Sequence, residues 1–237
     1  DSDGVAVLRL WQAQDIKNFD MKSFESGDYS RAMRDNNSAE LISKVLYPPD
    51  NHNEGKSLRL KQQYFLVSAS IQNIIKNHIK EYGTLDNFSE KVVIHINDTH
   101  PALCVPELMR IFMDEYHYSW DEAFKMVTET VNYTNHTVLS EALIKHLMPR
   151  IYGIIKELNE RFCADMWSKY PGDWDKISRM SIISNDQVKM ANLSVIGSKK
   201  VNGVSQLHSD ILKEDVFAHF YQASPNKFPN VTNVIAH

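Results

Sequence analysis

Apolar positions along the chain recur with two different periods, and the longer period marks helices. Tyr29, Ala32, Met33, Ala39, Ile42 and Val45 follow helical spacing and predict a helix over 29–46. Pro48-Pro49 ends it, because proline offers no amide donor, and a loop over 47–55 is expected. Leu60, Tyr64, Phe65, Val67, Ile71, Ile74 and Ile75 form a wide apolar face and predict a core helix across 58–82. Ser119, followed by Asp121 and Glu122 at the positive end of the dipole, predicts a helix running to Val131. Further helices are expected over 147–162, from Pro171, and from Gly203 to Leu212.

The shorter period predicts strands. Val5 to Trp11 alternates as a strand would, and a polar connector follows from Gln12 to Ser26. Lys91 to Ile96 is short, β-branched and mostly apolar, the pattern of a strand covered on both faces. Another strand is expected near 181–183, so strands and helices alternate and the fold class is α/β. No internal repeat or low-complexity segment breaks this pattern.

Candidate chemistry sits where that reading places strand ends. In open α/β sheets ligands gather at the carboxyl ends of strands, and Asn97-Asp98-Thr99-His100 follows KVVIHI directly, before Pro101 opens the next helix to about Met113. The alternative for these residues is that they only organise a turn and cap that helix. A second polar knot, Tyr133-Thr134-Asn135-His136-Thr137, carries donors and acceptors suited to sugar hydroxyls; its alternative is a satisfied loop histidine. His95, Asp98, His100 and His136 could be read as a zinc set, but no HExxH pair is present and the spacing puts no two ligands on one helical face. Asp98 has no evident carboxylate partner for glycosidase chemistry, and neither a nucleophile elbow nor a phosphate-binding loop occurs.

Composition narrows the class. With 237 residues, a formal net charge of -4 and no long basic run, the chain lacks the footprint of a nucleic-acid binder. Cys104 and Cys163 stand outside any ligand spacing, which suits a reducing, cytoplasmic compartment. No apolar run approaches the roughly 18 to 20 residues that span a bilayer, and the start at Asp1-Ser2-Asp3-Gly4 has no signal pattern. That abrupt start is expected of a piece of a longer polypeptide.

Longer words in the sequence are more specific: LRLW (Leu8 to Trp11), VLYP before Asp50-Asn51, EGK-x-LRLKQ-x-YF (Glu54 to Phe65), NDTHP (Asn97 to Pro101), PELMR (Pro106 to Arg110), YTNHTVL (Tyr133 to Leu139) and VNGV (Val201 to Val204). In identity and order they resemble the α-glucan (glycogen, starch or maltodextrin) phosphorylases over essentially the whole chain. The resemblance implies a Rossmann-like partial domain, the latter part of the N-terminal half of a two-domain GT-B glycosyltransferase. It implies transfer of a glucosyl unit from the non-reducing end of an α-1,4-glucan to inorganic phosphate, giving glucose 1-phosphate with retention. Pyridoxal phosphate would act through its own phosphate, bound by a lysine that lies outside this chain, so no cofactor-binding residue is expected here and no second carboxylate is required. His136 and Asp98 resemble catalytic-cleft residues, and Asn51, Asp50, His100, Asn135 and Thr137 resemble substrate-side residues. The 29–46 helix resembles a dimer-interface helix and 47–55 a gate loop over the substrate.

The pattern also departs from the family. The glycine-rich loop that closes on phosphate is missing, the segment between Leu143 and Leu147 is shorter than usual, and Val234 stands where the family pattern has a glycine. A positive φ required there would strain valine. Three readings follow: a phosphorylase fragment that is inactive alone, a non-catalytic glucan-binding module, and a metal-dependent hydrolase.

Overall fold

The computed structural model describes residues 4, 7–16, 19–136, 141–142, 144–185 and 187–231. Contacts divide the chain into two compact units, 1–72 and 73–237. Thr137, Leu143 and Val234 lie outside the described residues.

In the first unit, α1 (Met21–Glu25) and α2 (Tyr29–Ala32) are short, each entered through an aspartate that accepts from a backbone N–H, Asp20 from Ser23 and Asp28 from Arg31. A turn at Met33 separates α2 from α3 (Arg34–Lys44), so the expected 29–46 helix is two helices in succession. Residues 7–11 do not form the predicted strand. Val7, Leu8 and Leu10 are exposed, and alternation alone supplies no ladder partner. The segment is held by side chains instead: Trp11 Nε1 donates to Ser70 Oγ at 3.1 Å, and Ser43 Oγ accepts from the Ala13 N–H at 2.9 Å. Helix α4 (Asn53–Tyr82) starts five residues before the expected 58–82 helix.

In the second unit, α5 (Phe88–Lys91) leads into β1 (Ile94–Asn97). Then come α6 (Cys104–Arg110), extended by a π-helical turn at Ile111–Glu115, and α7 (Trp120–Thr130). The helix predicted from Ser119 is present, and Ser119 and Glu122 close a capping box on it. Next are β2 (Val131–Thr134), the two-residue β3 (Glu141–Ala142) and α8 (Pro149–Lys169). After α9 (Trp174–Met180), β4 (Ile183–Ser184) and β5 (Gln187–Lys189) pair antiparallel with β5 central between β3 and β4. Helix α10 (Met190–Gly197), β6 (Lys200–Asn202), α11 (Gln206–Ile211) and α12 (Ala218–Ala223) complete the unit.

β1, β2 and β6 form a parallel sheet with β2 in the middle. Register sets Ile96, Tyr133 and Val201 side by side, and all three are fully buried. Helices α7 and α10 lie against β2, and α6 packs on both. Within α6, fully buried Glu107 accepts two hydrogen bonds from the Arg110 guanidinium, at 2.8 and 2.9 Å, so its charge is met inside the core. On the opposite face the same register aligns Asn97, Thr134 and Asn202, with His95 beside Asn132. That face is polar and His95 is exposed, which corrects the expectation of a strand covered on both faces. A parallel strand reads as continuously apolar only when both sides are covered.

Candidate functional site

Both polar knots leave the parallel sheet at its carboxyl edge, one from β1 and the other from the adjacent β2. The ladder runs one residue beyond each strand, since the Asp98 N–H donates to Thr134 O at 2.9 Å and the Asn135 N–H donates to Asn202 O at 3.0 Å. Asp98 has φ of 65°, a left-handed conformation that costs a non-glycine residue energy and is retained where surrounding contacts impose it. Its carboxylate Oδ1 accepts from the Thr99 N–H at 2.7 Å, and His100 Nε2 lies 3.8 Å from Oδ2. Asp98 therefore does organise its turn, but it does not cap α6, whose N-cap position is Leu103. Asp98 and Asn135 are buried, whereas His100 and His136 are exposed.

A directional hydrogen-bond chain crosses the polar face below this edge. Asn202 Nδ2 donates to Gly203 O at 2.7 Å, so its Oδ1 is free to accept from the Thr134 hydroxyl at 2.8 Å. Having given its proton that way, Thr134 Oγ1 accepts from His95 Nε2 at 2.6 Å. One histidine, one hydroxyl and one carboxamide thus tie the three strands together where their loops begin. On the buried face Asn135 Nδ2 donates to the Tyr133 hydroxyl at 2.8 Å. Burial pushes the Tyr133 phenol well above its usual range, with the Asp98 charge acting in the same direction against the lowering effect of the Asn135 bond.

In the first unit, Asp50 and Asn51 are exposed on a loop fastened to the start of α4. Arg59 pairs with Asp50 Oδ2 at 2.5 Å and lies 4.1 Å over the Tyr47 ring. Gln62 Oε1 accepts from the Tyr47 N–H at 3.2 Å, and its Nε2 donates to Val45 O at 2.8 Å. At the helix entry His52 Nδ1 accepts from the Gly55 N–H at 2.9 Å, and a Cβ on Gly55 would overlap the Pro49 carbonyl oxygen. The words VLYP and EGK-x-LRLKQ are therefore two sides of one fastening. Arg59→Ala is expected to raise amide exchange over 45–52 roughly tenfold, from loss of the ring contact and the half-exposed ion pair together. Unchanged exchange would mean that the Gln62 and His52 bonds hold the loop without Arg59.

The carbohydrate phosphorylase family profile matches residues 1–237. The chain belongs to the carbohydrate phosphorylase family. This phosphorylase chain is 51% identical over 240 residues to the glycogen phosphorylase of Bacillus subtilis, covering 98% of the chain and 29% of that protein. It is 47% identical over 242 residues to that of Chlamydia pneumoniae, with 98% and 29% covered. Against the muscle form of Ovis aries it is 46% identical over 249 residues, with 98% and 30% covered. The phosphorylase chain thus spans about three-tenths of the length of the curated relatives it matches. Among its described residues no group of three or more His, Cys, Asp or Glu could hold a metal ion, and no helix is long and apolar enough to cross a membrane.

The residues that sequence reading missed here are Asn97 as a partner of His136, Thr134 and His95 as links in the chain, and Asn202. The available signal was shared alternation: IHIN, VNYT and KVN each end on a polar residue, with the aligned position before it apolar.

Proposed function

We propose that this chain forms the sugar-facing side of an α-glucan phosphorylase cleft, as part of one half of a two-domain GT-B, Rossmann-like fold. The whole polypeptide transfers a glucosyl unit from the non-reducing end of an α-1,4-glucan to inorganic phosphate, releasing glucose 1-phosphate with retention. His136 and Asp98 face the reacting sugar. His100, Asn135, Thr137, Asp50 and Asn51 bind the substrate around it. The reading rests most on the NDTHP and YTNHTVL loops leaving adjacent parallel strands at one edge, fixed to each other through the Asp98 N–H and Thr134 O. Such fixed dipoles can stabilise the positive charge that develops at the anomeric carbon without reorganising during reaction.

The described residues at this edge do not fit pyridoxal phosphate. Asn97, Asp98, Thr99, His100, Thr134, Asn135, His136, Asn202 and Gly203 offer neither a lysine amine nor an arginine for a phosphate. Lys227, whose amine burial pushes down to about 8, donates to Ile196 O at 3.3 Å at the end of α10. On this reading the cofactor, its lysine and the inorganic phosphate belong to other parts of the polypeptide. The chain alone is inactive, and the full enzyme is a cytoplasmic, allosteric homodimer that meets its partner through the 29–46 segment.

The full-length polypeptide, loaded with pyridoxal phosphate, should release glucose 1-phosphate from maltoheptaose and phosphate, and the chain alone should release none. Turnover by the chain alone, or none by the loaded full-length protein, would overturn the assignment. Maltoheptaose binding without turnover in the full-length protein would instead indicate a non-catalytic glucan-binding module.

A further inference from the structure

Among the described residues of its knot His136 is the exposed one, and its ring is nevertheless held. His136 Nε2 lies 2.5 Å from Asn97 Oδ1. A carboxamide oxygen can only accept, so Nε2 carries the hydrogen of this bond, and in the neutral imidazole the lone pair then sits on Nδ1. The acceptor is fixed from below. Asn97 is the last residue of β1, aligned with Thr134 on the polar face, and the backbone on both sides of that pair is locked by the ladder. Thr134 is itself tied to Asn202 at 2.8 Å, so hydrogen bonds within the sheet hold the strand end that presents Asn97.

We propose that Asn97 is a positioning residue that sets the tautomer and ring orientation of His136, leaving Nδ1 as the acceptor for a hydroxyl of the glucosyl unit. The inference rests on the reading that His136 meets the sugar. It also gives a reason for the sequence order at the site. The asparagine precedes the turn that carries Asp98, so one strand end supplies both the buried carboxylate and the group that aims the neighbouring histidine. A histidine held in the wrong tautomer loses function even when its ring stays in position.

The test uses the full-length holoenzyme and phosphorolysis of maltoheptaose. Asn97→Leu keeps the shape of the side chain and removes the acceptor; Asn97→Asp keeps an acceptor oxygen at the same reach. Asn97 is exposed, so neither change empties the core. Asn97→Leu should lower kcat/KM roughly 10- to 100-fold, the usual effect of removing a group that orients a functional histidine, with most of the loss in kcat. Asn97→Asp should remain within about tenfold of the parent. In a His136→Ala background, Asn97→Leu should cost nothing further, because it acts only through the imidazole. Near-parental activity of Asn97→Leu, an additive loss in the double variant, or an Asn97→Asp loss as large as that of Asn97→Leu would each overturn the inference. If His136→Ala itself turns over normally, the assignment of the sugar site fails first, and the two failures are told apart by that single variant.

Discussion

His136→Ala in the full-length enzyme is expected to lower kcat for phosphorolysis by about 10²- to 10³-fold, the range found when one preorganised polar group aimed at developing charge is removed. The fold should be untouched. The imidazole is exposed, so its removal opens no cavity, and the Asn97 carboxamide it leaves behind can bond to water instead. The backbone carbonyl of residue 136 survives the substitution, so what is lost is the side chain's contribution alone. If that contribution is realised mainly in the transition state, kcat falls and KM moves little; an equal loss of ground-state binding would raise KM with kcat unchanged. Steady-state kinetics with an unchanged thermal midpoint would establish the role. Near-normal turnover would remove His136 from the reacting centre and leave the turn around Asp98 as a structural device.

The parts of this fold that could be read from the sequence are those whose determinants lie close together in the chain. The α7 capping box needs only Ser119 and Glu122, and the end of the 29–46 helical stretch needs only Pro48-Pro49. Helix α4 announces itself through a long apolar stripe. The parallel sheet was harder to read because its strands are half polar. Val131–Thr134 places Val131 and Tyr133 in the core and aims Asn132 and Thr134 the other way, so a central strand reads as the start of a polar loop. β6 is three residues long, and α10 is buried so completely that it shows no amphipathic period. Conversely, Val7 to Trp11 alternates well and still forms no ladder, since pairing depends on a neighbour that local pattern cannot supply. The site followed the same division. Asp98, His100, Asn135 and His136 were identifiable as residues, whereas the bonds that organise them connect positions 39 and 68 residues apart.

A large stability effect is expected at Gly197, the last residue of α10, for reasons of space rather than backbone freedom. A Cβ there would overlap Val105 Cγ2 and approach Cγ1 to 2.6 Å. Val105 is fully buried in α6, and a β-branched side chain on a helix has one strongly preferred rotamer, so it cannot swing clear. Gly197→Ala should therefore force α10 and α6 apart, at a cost of about 2 kcal/mol, and lower the thermal midpoint of this part of the full-length protein by roughly 4 to 8 °C. The compensating change is Val105→Ala, which alone leaves a cavity but in combination makes room for the new methyl group. The two substitutions should be non-additive by at least about 0.5 kcal/mol, with the double variant more stable than the sum of the singles predicts. Simple additivity would mean that the helices adjust independently of this contact. Because α10 also packs on β2, whose end carries Asn135 and His136, the displaced helix should reduce activity as well, and Val105→Ala should restore both properties together. Recovery of stability without recovery of activity would show that the site is insensitive to how α10 supports the central strand.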